Sequence, residues 1–371
     1  MLMGLTSNTV LVLAIIAGVA LFAVTVWAWP KLSGRGVRAV FGRIGLLLAT
    51  QLALFSAVGL AANKSFLFYG SWADLFGQET SIGKVVDHSM SSKDIKVLDK
   101  QKLDVPGGGK PQVGGQILKV AITGPKSKIT SPGYVWLPPE YFQPQHKDQN
   151  FPASIVLTGY PGTAENLIKG LNYPMTAFKQ AKAGKMKPMI LVMLRPTIAP
   201  PRDTECVDIP GGPQTETFFA QDLPQAIQST FRVGKKPQNM GFIGNSTGGY
   251  CALKIAAHHP QTFGAAVGLS AYYKAADDAT TGDLFHGDDK LKARADVLAS
   301  LKDKKPTGTS FLVTTSEKGE DNLNDTKKFI KLVKGPDRVS SIILDSGGHN
   351  FNTWRREIPP MLVWLSGRMQ A

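Results

Sequence analysis

The chain has 371 residues and a formal net charge of +14, longer than one typical domain, so one large unit plus an appendage is the starting expectation. The first 63 residues hold no Asp or Glu and only four basic residues, Lys31, Arg35, Arg38 and Arg43, which leaves +10 for residues 64–371. Such charge favours anionic lipid or envelope polymer. Nucleic acid is not called for, because no basic run interleaved with aromatics is present. With only Cys206 and Cys251, a disulfide-stapled scaffold and a four-cysteine zinc site are excluded. Their spacing leaves pairing open, and the plainer reading is two unpaired small residues.

From Thr9 to Trp29 every residue is apolar or small, and Ile44 to Ala62 repeats the pattern with only Gln51 strongly polar. Each run is long enough to cross ~30 Å of hydrocarbon as a helix. No Lys or Arg precedes the first run, as a cleaved signal would have, so a two-helix transmembrane hairpin over residues 1–63 is expected. Its inter-helix loop carries all four basic residues, which places that loop in the cytoplasm and both termini outside, the main domain being extracytoplasmic. An aromatic collar from Phe66 to Phe76 follows, and residues 64–114 read as a membrane-proximal segment and linker, ending in Pro106-Gly107-Gly108-Gly109 and Gly114-Gly115.

Beyond residue 115 short apolar runs alternate with helical stretches. Strands are predicted near 116–123, 133–137, 153–157, 189–194, 239–243, 264–269, 309–315 and 340–344, and helices near 221–230, 248–258, 324–333 and 352–368. This alternation implies an α/β fold with a mostly parallel sheet covered on both faces.

The sharpest motif is Gly244-Asn245-Ser246-Thr247-Gly248, entered from a strand and left through a helix. A serine on such a turn is strained and projects its hydroxyl, and small residues two before and two after keep the turn from clashing. A serine nucleophile needs a base. Of six histidines, His349 follows the last predicted strand through Asp345-Ser346-Gly347-Gly348, where the base of this chemistry belongs. His258 and His259 read as solvated residues at a helix end, and His88, His146 and His286 lie in polar stretches. The acid should follow the preceding strand, where Glu317, Glu320 and Asp321 compete. Glu317, nearest the strand end, is the first choice. Thr247 supplies one expected oxyanion-hole N–H, and Tyr160 in Thr158-Gly159-Tyr160-Pro161 the other, since proline has none. Neither metal nor organic cofactor is called for.

These residues resemble the putative-esterase family, which groups esterase-D-like enzymes with the mycolyltransferases of actinobacterial envelopes. The likeness runs from about Gly115 to the C-terminus. It rests on Tyr134-Val135-Trp136-Leu137-Pro138-Pro139-Glu140-Tyr141, Gly159-Tyr160, Asp222-Leu223-Pro224, Gly244 to Tyr250, His259-Pro260 with Phe263-Gly264, and Gly347-Gly348-His349-Asn350 with Trp354. It implies an α/β-hydrolase fold without a large lid, carboxylic-ester chemistry, and a triad falling on Ser246, an acid near Glu317, and His349. The chain departs from the family at Thr158-Gly159, where His-Gly or Asp-Gly is usual, and in its apolar hairpin. The expectation is a membrane-anchored esterase acting on lipid or envelope acyl or aminoacyl esters. Acyl transfer to a sugar or lipid hydroxyl is the alternative, and a non-catalytic anchored binding protein a lesser one.

Overall fold

The computed structural model describes residues 4–5, 7–66, 72–75, 94–198, 200, 202–303 and 305–371. The chain divides into two compact units, Met1–Ser89 and Met90–Ala371. Most of the collar expected from Phe66 to Phe76, and His88, lie outside the described residues.

The first unit is a helical hairpin, α1 (Asn8–Ala28) and α2 (Val37–Phe66). Ser7 caps α1, its Oγ accepting from Val10 N at 3.1 Å. Both helices are long and apolar enough to cross a membrane, with mean hydropathy of 2.8 and 2.0 over their most apolar stretches. They meet through small and hydroxylated residues. Gly18 lies against the Leu54 side chain, and the Thr25 and Thr50 hydroxyls hydrogen-bond at 2.8 Å. Lys31 places its ammonium 3.4 Å from the Trp27 ring centre, a cation–π contact beside the turn.

In the second unit nine strands among the described residues form one sheet: β1 (Ile95–Gln101), β2 (Gln116–Thr123), β3 (Thr130–Leu137), β4 (Ala153–Leu157), β5 (Ile190–Leu194), β6 (Met240–Asn245), β7 (Ala265–Leu269), β8 (Ser310–Ser316) and β9 (Arg338–Leu344). Their spatial order is β1-β2-β3-β5-β4-β6-β7-β8-β9. Pairing is antiparallel from β1 to β5 and parallel from β5 to β9. Strands β4 to β7 are buried along their whole length, the mark of a parallel sheet covered on both faces. The principal helices are α3 (Tyr173–Lys182), α4 (Leu223–Thr230), α5 (Thr247–His258), α6 (Leu323–Leu332) and α7 (Phe351–Arg368).

Three sequence expectations need correction. The folded unit starts well before residue 115, because β1 joins the sheet. Its sequence, IKVLDKQ, has only Ile95 buried and gives no alternation to read. The stretch expected as a linker is packed: Leu103 is buried, and a Cβ on Gly108 would meet Leu103 O at 2.3 Å. Finally, Cys206 and Cys251 are bonded to each other. Consecutive residues of positive φ, Glu205 and Cys206, fold the loop after β5 back onto α5, which carries Cys251.

Candidate active site

Parallel strands open binding sites at their carboxyl ends, and Ser246 sits there, between β6 and α5. Its backbone takes φ 55°, ψ −123°, a region that side chains adopt only when the surroundings impose it. The surroundings do so through glycine. A Cβ on Gly244 would meet Gly248 C at 2.0 Å, and one on Gly248 would meet Thr158 O at 2.4 Å. Ser246 N donates to Leu269 O at 3.0 Å, fixing the turn to β7.

His349 Nε2 lies 2.8 Å from Ser246 Oγ. The imidazole is half exposed, and its ring stands edge-on to Trp354 with centroids 5.2 Å apart. Its loop is anchored from below: Asn350 caps α7, accepting from Asn352 N and Thr353 N, and Arg356 donates to Ser346 O at 2.8 Å.

The carboxylate facing His349 Nδ1 is Glu320, at 3.8 Å and with its side chain 1% exposed. Glu317, the first choice from sequence, is exposed, as is Asp321. The reason is local. Glu317 N continues the ladder to Leu344 O, so residue 317 still runs with the strand. Gly319 then takes φ +96°, its Cα packed so close to Gly347 O that a Cβ would come within 2.5 Å, and this reversal turns Glu320 inward. Neither Glu320 oxygen has a hydrogen-bond partner among the described residues. A buried carboxylate without donors is costly, and the imidazole is the group in reach to satisfy it.

On the opposite side of Ser246, Gly159 approaches so closely that a Cβ would stand 2.8 Å from Ser246 Cβ. The loop is closed by Gly162 N donating to Gly159 O at 2.8 Å and by Thr158 Oγ1 donating to Gly162 O at 3.1 Å. Tyr160 follows Gly159 directly, and Thr247 opens α5, where first-turn N–H groups have no intrahelical acceptor. Both expected oxyanion donors thus flank Ser246. Tyr160 also lines an open cavity of about 570 Å³ with Arg202, Asp283 and His286.

Sequence reading missed the acidic layer behind this edge. Asp203 and Glu205 are buried. Burial pushes them up to about 6 and about 8, their mutual repulsion adding to the shift of Glu205. Tyr272 OH donates to Glu205 at 2.6 Å. His258 and His259, expected in solvent, instead meet the buried Glu216 at 3.4 and 2.9 Å, with Lys254 at 3.5 Å. Burial opposes ionisation of Glu216, but Lys254 and the two histidines hold its carboxyl well below the ordinary range. Glu216 lies 42 residues from His258, so no local signal marks the pairing.

The profile of the family described as Putative esterase matches residues 128–365. An uncharacterised protein of Corynebacterium glutamicum is 24% identical over 270 residues, covering 68% of this chain and 62% of its own length. The MPT51 antigen of Mycobacterium leprae is 39% identical over 62 residues, 17% of this chain and 20% of that protein. The chain thus spans less than two thirds of either relative. Among solved structures, a ferulic acid esterase superposes with a TM-score of 0.57 at 18% identity, covering 68% of this chain and 97% of the other. An S-formylglutathione hydrolase from Agrobacterium tumefaciens gives 0.57 at 16% identity, covering 74% and 99%. A fluorophosphonate-binding serine hydrolase of Staphylococcus aureus gives 0.54 at 16% identity, covering 67% and 98%. At these identities the structural likeness speaks for the α/β-hydrolase fold.

Proposed function

The chain belongs to the putative-esterase family, and from that premise we propose that it is a membrane-anchored serine esterase working through an acyl-Ser246 intermediate. The observation that carries this reading is the 2.8 Å approach of His349 Nε2 to the hydroxyl of a serine held in a strained turn. His349 takes the hydroxyl proton as Ser246 Oγ attacks the ester carbonyl carbon. The oxygen that becomes negative is received by the N–H groups of Thr247 and Tyr160. Collapse expels the alcohol, protonated by His349, and water repeats the sequence to release the acid and restore Ser246. Glu320 orients Nδ1–H and stabilises the imidazolium formed in each half-reaction. Transfer follows the same path with an acceptor hydroxyl in place of water, and the cavity beside Tyr160 has room for such an acceptor.

The two apolar helices support anchoring, and the positive charge of residues 31–43 supports an extracytoplasmic catalytic unit. A site tethered to the bilayer meets lipid esters at high effective concentration. Basic surface adds about 1 kcal/mol of attraction per Lys or Arg near an anionic leaflet. Lipid or envelope acyl esters are therefore the substrate class favoured. The test compares one ester in solution and in anionic vesicles: faster turnover in vesicles, reduced by salt and by deletion of residues 1–63, is expected. Equal rates unaffected by either change would refute the lipid assignment.

A further inference from the structure

The base has a weakness that the geometry exposes. His349 is half exposed, sits on a Gly-Gly loop, and keeps Nδ1 3.8 Å from Glu320, beyond hydrogen-bond length. The carboxylate alone does not fix the ring. A different set of contacts reaches it from α7. Trp354 sets its ring edge-on to His349, the planes 83° apart, and donates from Nε1 to Ser270 Oγ at 2.8 Å. Ser270 N donates to Thr314 Oγ1 at 3.0 Å, and Thr314 Oγ1 donates to Glu357 Oε2 at 2.9 Å. Glu357 is fully buried and lies three residues beyond Trp354 on the same helix. The circuit thus leaves α7, crosses the ends of β7 and β8, and returns to α7. Ser270 holds φ 46°, a strained conformation for a non-glycine residue, and it puts both its N–H and its hydroxyl into the circuit.

We propose that Glu357, Thr314, Ser270 and Trp354 form a positioning relay that holds the His349 ring against Ser246, with Glu357 as its buried anchor. The proposal rests on the reading of His349 as the base. A carboxyl suits the anchor position while it stays uncharged. Burial, followed by the nearby Glu320 charge, pushes Glu357 up to about 8, with the Thr314 hydrogen bond and Arg356 acting the other way. Tyr173, fully buried on α3, faces the same carboxyl. At neutral pH Glu357 therefore leaves Glu320 as the charge that the imidazolium senses.

The test uses the full chain in detergent, with kcat and KM for a short soluble ester and, separately, the ring resonances of His349 followed by NMR on histidine-labelled protein, assigned with His349→Gln. Ser270→Ala and Trp354→Phe should each lower kcat about tenfold at unchanged KM, and the double variant should lose no more than either, since both remove one bond. Glu357→Gln, which still accepts from Thr314, should stay within twofold at pH 7, whereas Glu357→Leu should fall with Ser270→Ala. If Glu357→Leu does not fold, the other three decide. The His349 ring resonances should move in Ser270→Ala and keep their wild-type positions in Glu357→Gln. Folded Ser270→Ala with wild-type kcat, additive losses in the double variant, or His349 ring resonances unmoved in Ser270→Ala would each overturn the relay. The NMR measurement needs no substrate, so absence of ester turnover in the wild type would count against the esterase reading while leaving the relay measurable.

Discussion

Replacing Glu320 by glutamine keeps the side chain's shape and removes its charge. The carboxylate stands 3.8 Å from His349 Nδ1, and two unit charges about 4 Å apart attract by about 4 kcal/mol at an effective dielectric of about 20. His349 is half exposed, so solvent screening brings the share realised in the imidazolium transition state to about 3 kcal/mol. At 1.4 kcal/mol per tenfold, Glu320→Gln should lower kcat by about 10²-fold to 10³-fold, with KM changed little because the charge is felt only once the ring is protonated. Glu317→Gln and Asp321→Asn, both at exposed positions, should remain within about twofold. The assay is steady-state hydrolysis of a chromogenic short-chain ester by the three variants, each checked for an unchanged melting temperature. A larger loss from Glu317→Gln than from Glu320→Gln, or a loss below tenfold from the latter, would refute the assignment of the acid.

Stability should fall as pH rises through the range in which the buried acids ionise. Glu205 and Glu357 are pushed up to about 8 and Asp203 to about 6; each binds its proton more tightly folded than unfolded, so its contribution is complete below pH ~4 and is lost as pH rises toward 8. Melting temperature at pH 5.5 should exceed that at pH 9, and Glu205→Gln or Glu357→Gln should flatten the difference; the opposite slope would contradict it. Glu216 works the other way, its contribution being lost as pH falls below its ordinary range. Opening the Cys206–Cys251 bond, whose partners are 45 residues apart, should cost up to about 4 kcal/mol by the chain-entropy estimate, or about 10 °C in a domain of this size. Scanning calorimetry of Cys206→Ser/Cys251→Ser checks this, and an unchanged melting temperature would refute it. Gly248→Ala should prevent folding of the elbow, since its Cβ would meet Thr158 O at 2.4 Å and Leu157 O at 2.6 Å; a soluble variant with wild-type stability would contradict that contact.

What could be read from the sequence follows the range of the interactions involved. The parallel strands were legible because burial on both faces leaves short, wholly apolar runs such as ILVML in β5. The elbow was legible because glycines at 244 and 248 are forced by contacts within a few residues or one strand away. Choosing among Glu317, Glu320 and Asp321 required the φ of Gly319, which depends on its packing against Gly347, and sequence proximity to the strand favoured Glu317 over the carboxylate that faces His349. The cysteine pair and the Glu216 cluster join segments about 40 residues apart, beyond what local pattern encodes. Strand β1 escaped notice because an exposed edge strand keeps its charged residues and loses the alternation that marks a half-buried one.

The central claim is that Ser246 becomes acylated because His349 activates it. The direct measurement treats the full chain with a fluorophosphonate probe and maps the modified peptide by mass spectrometry. Stoichiometric modification on Ser246, lost in Ser246→Ala and strongly slowed in His349→Gln, is the predicted result. Modification at another residue, or none on folded wild-type protein, would contradict the account.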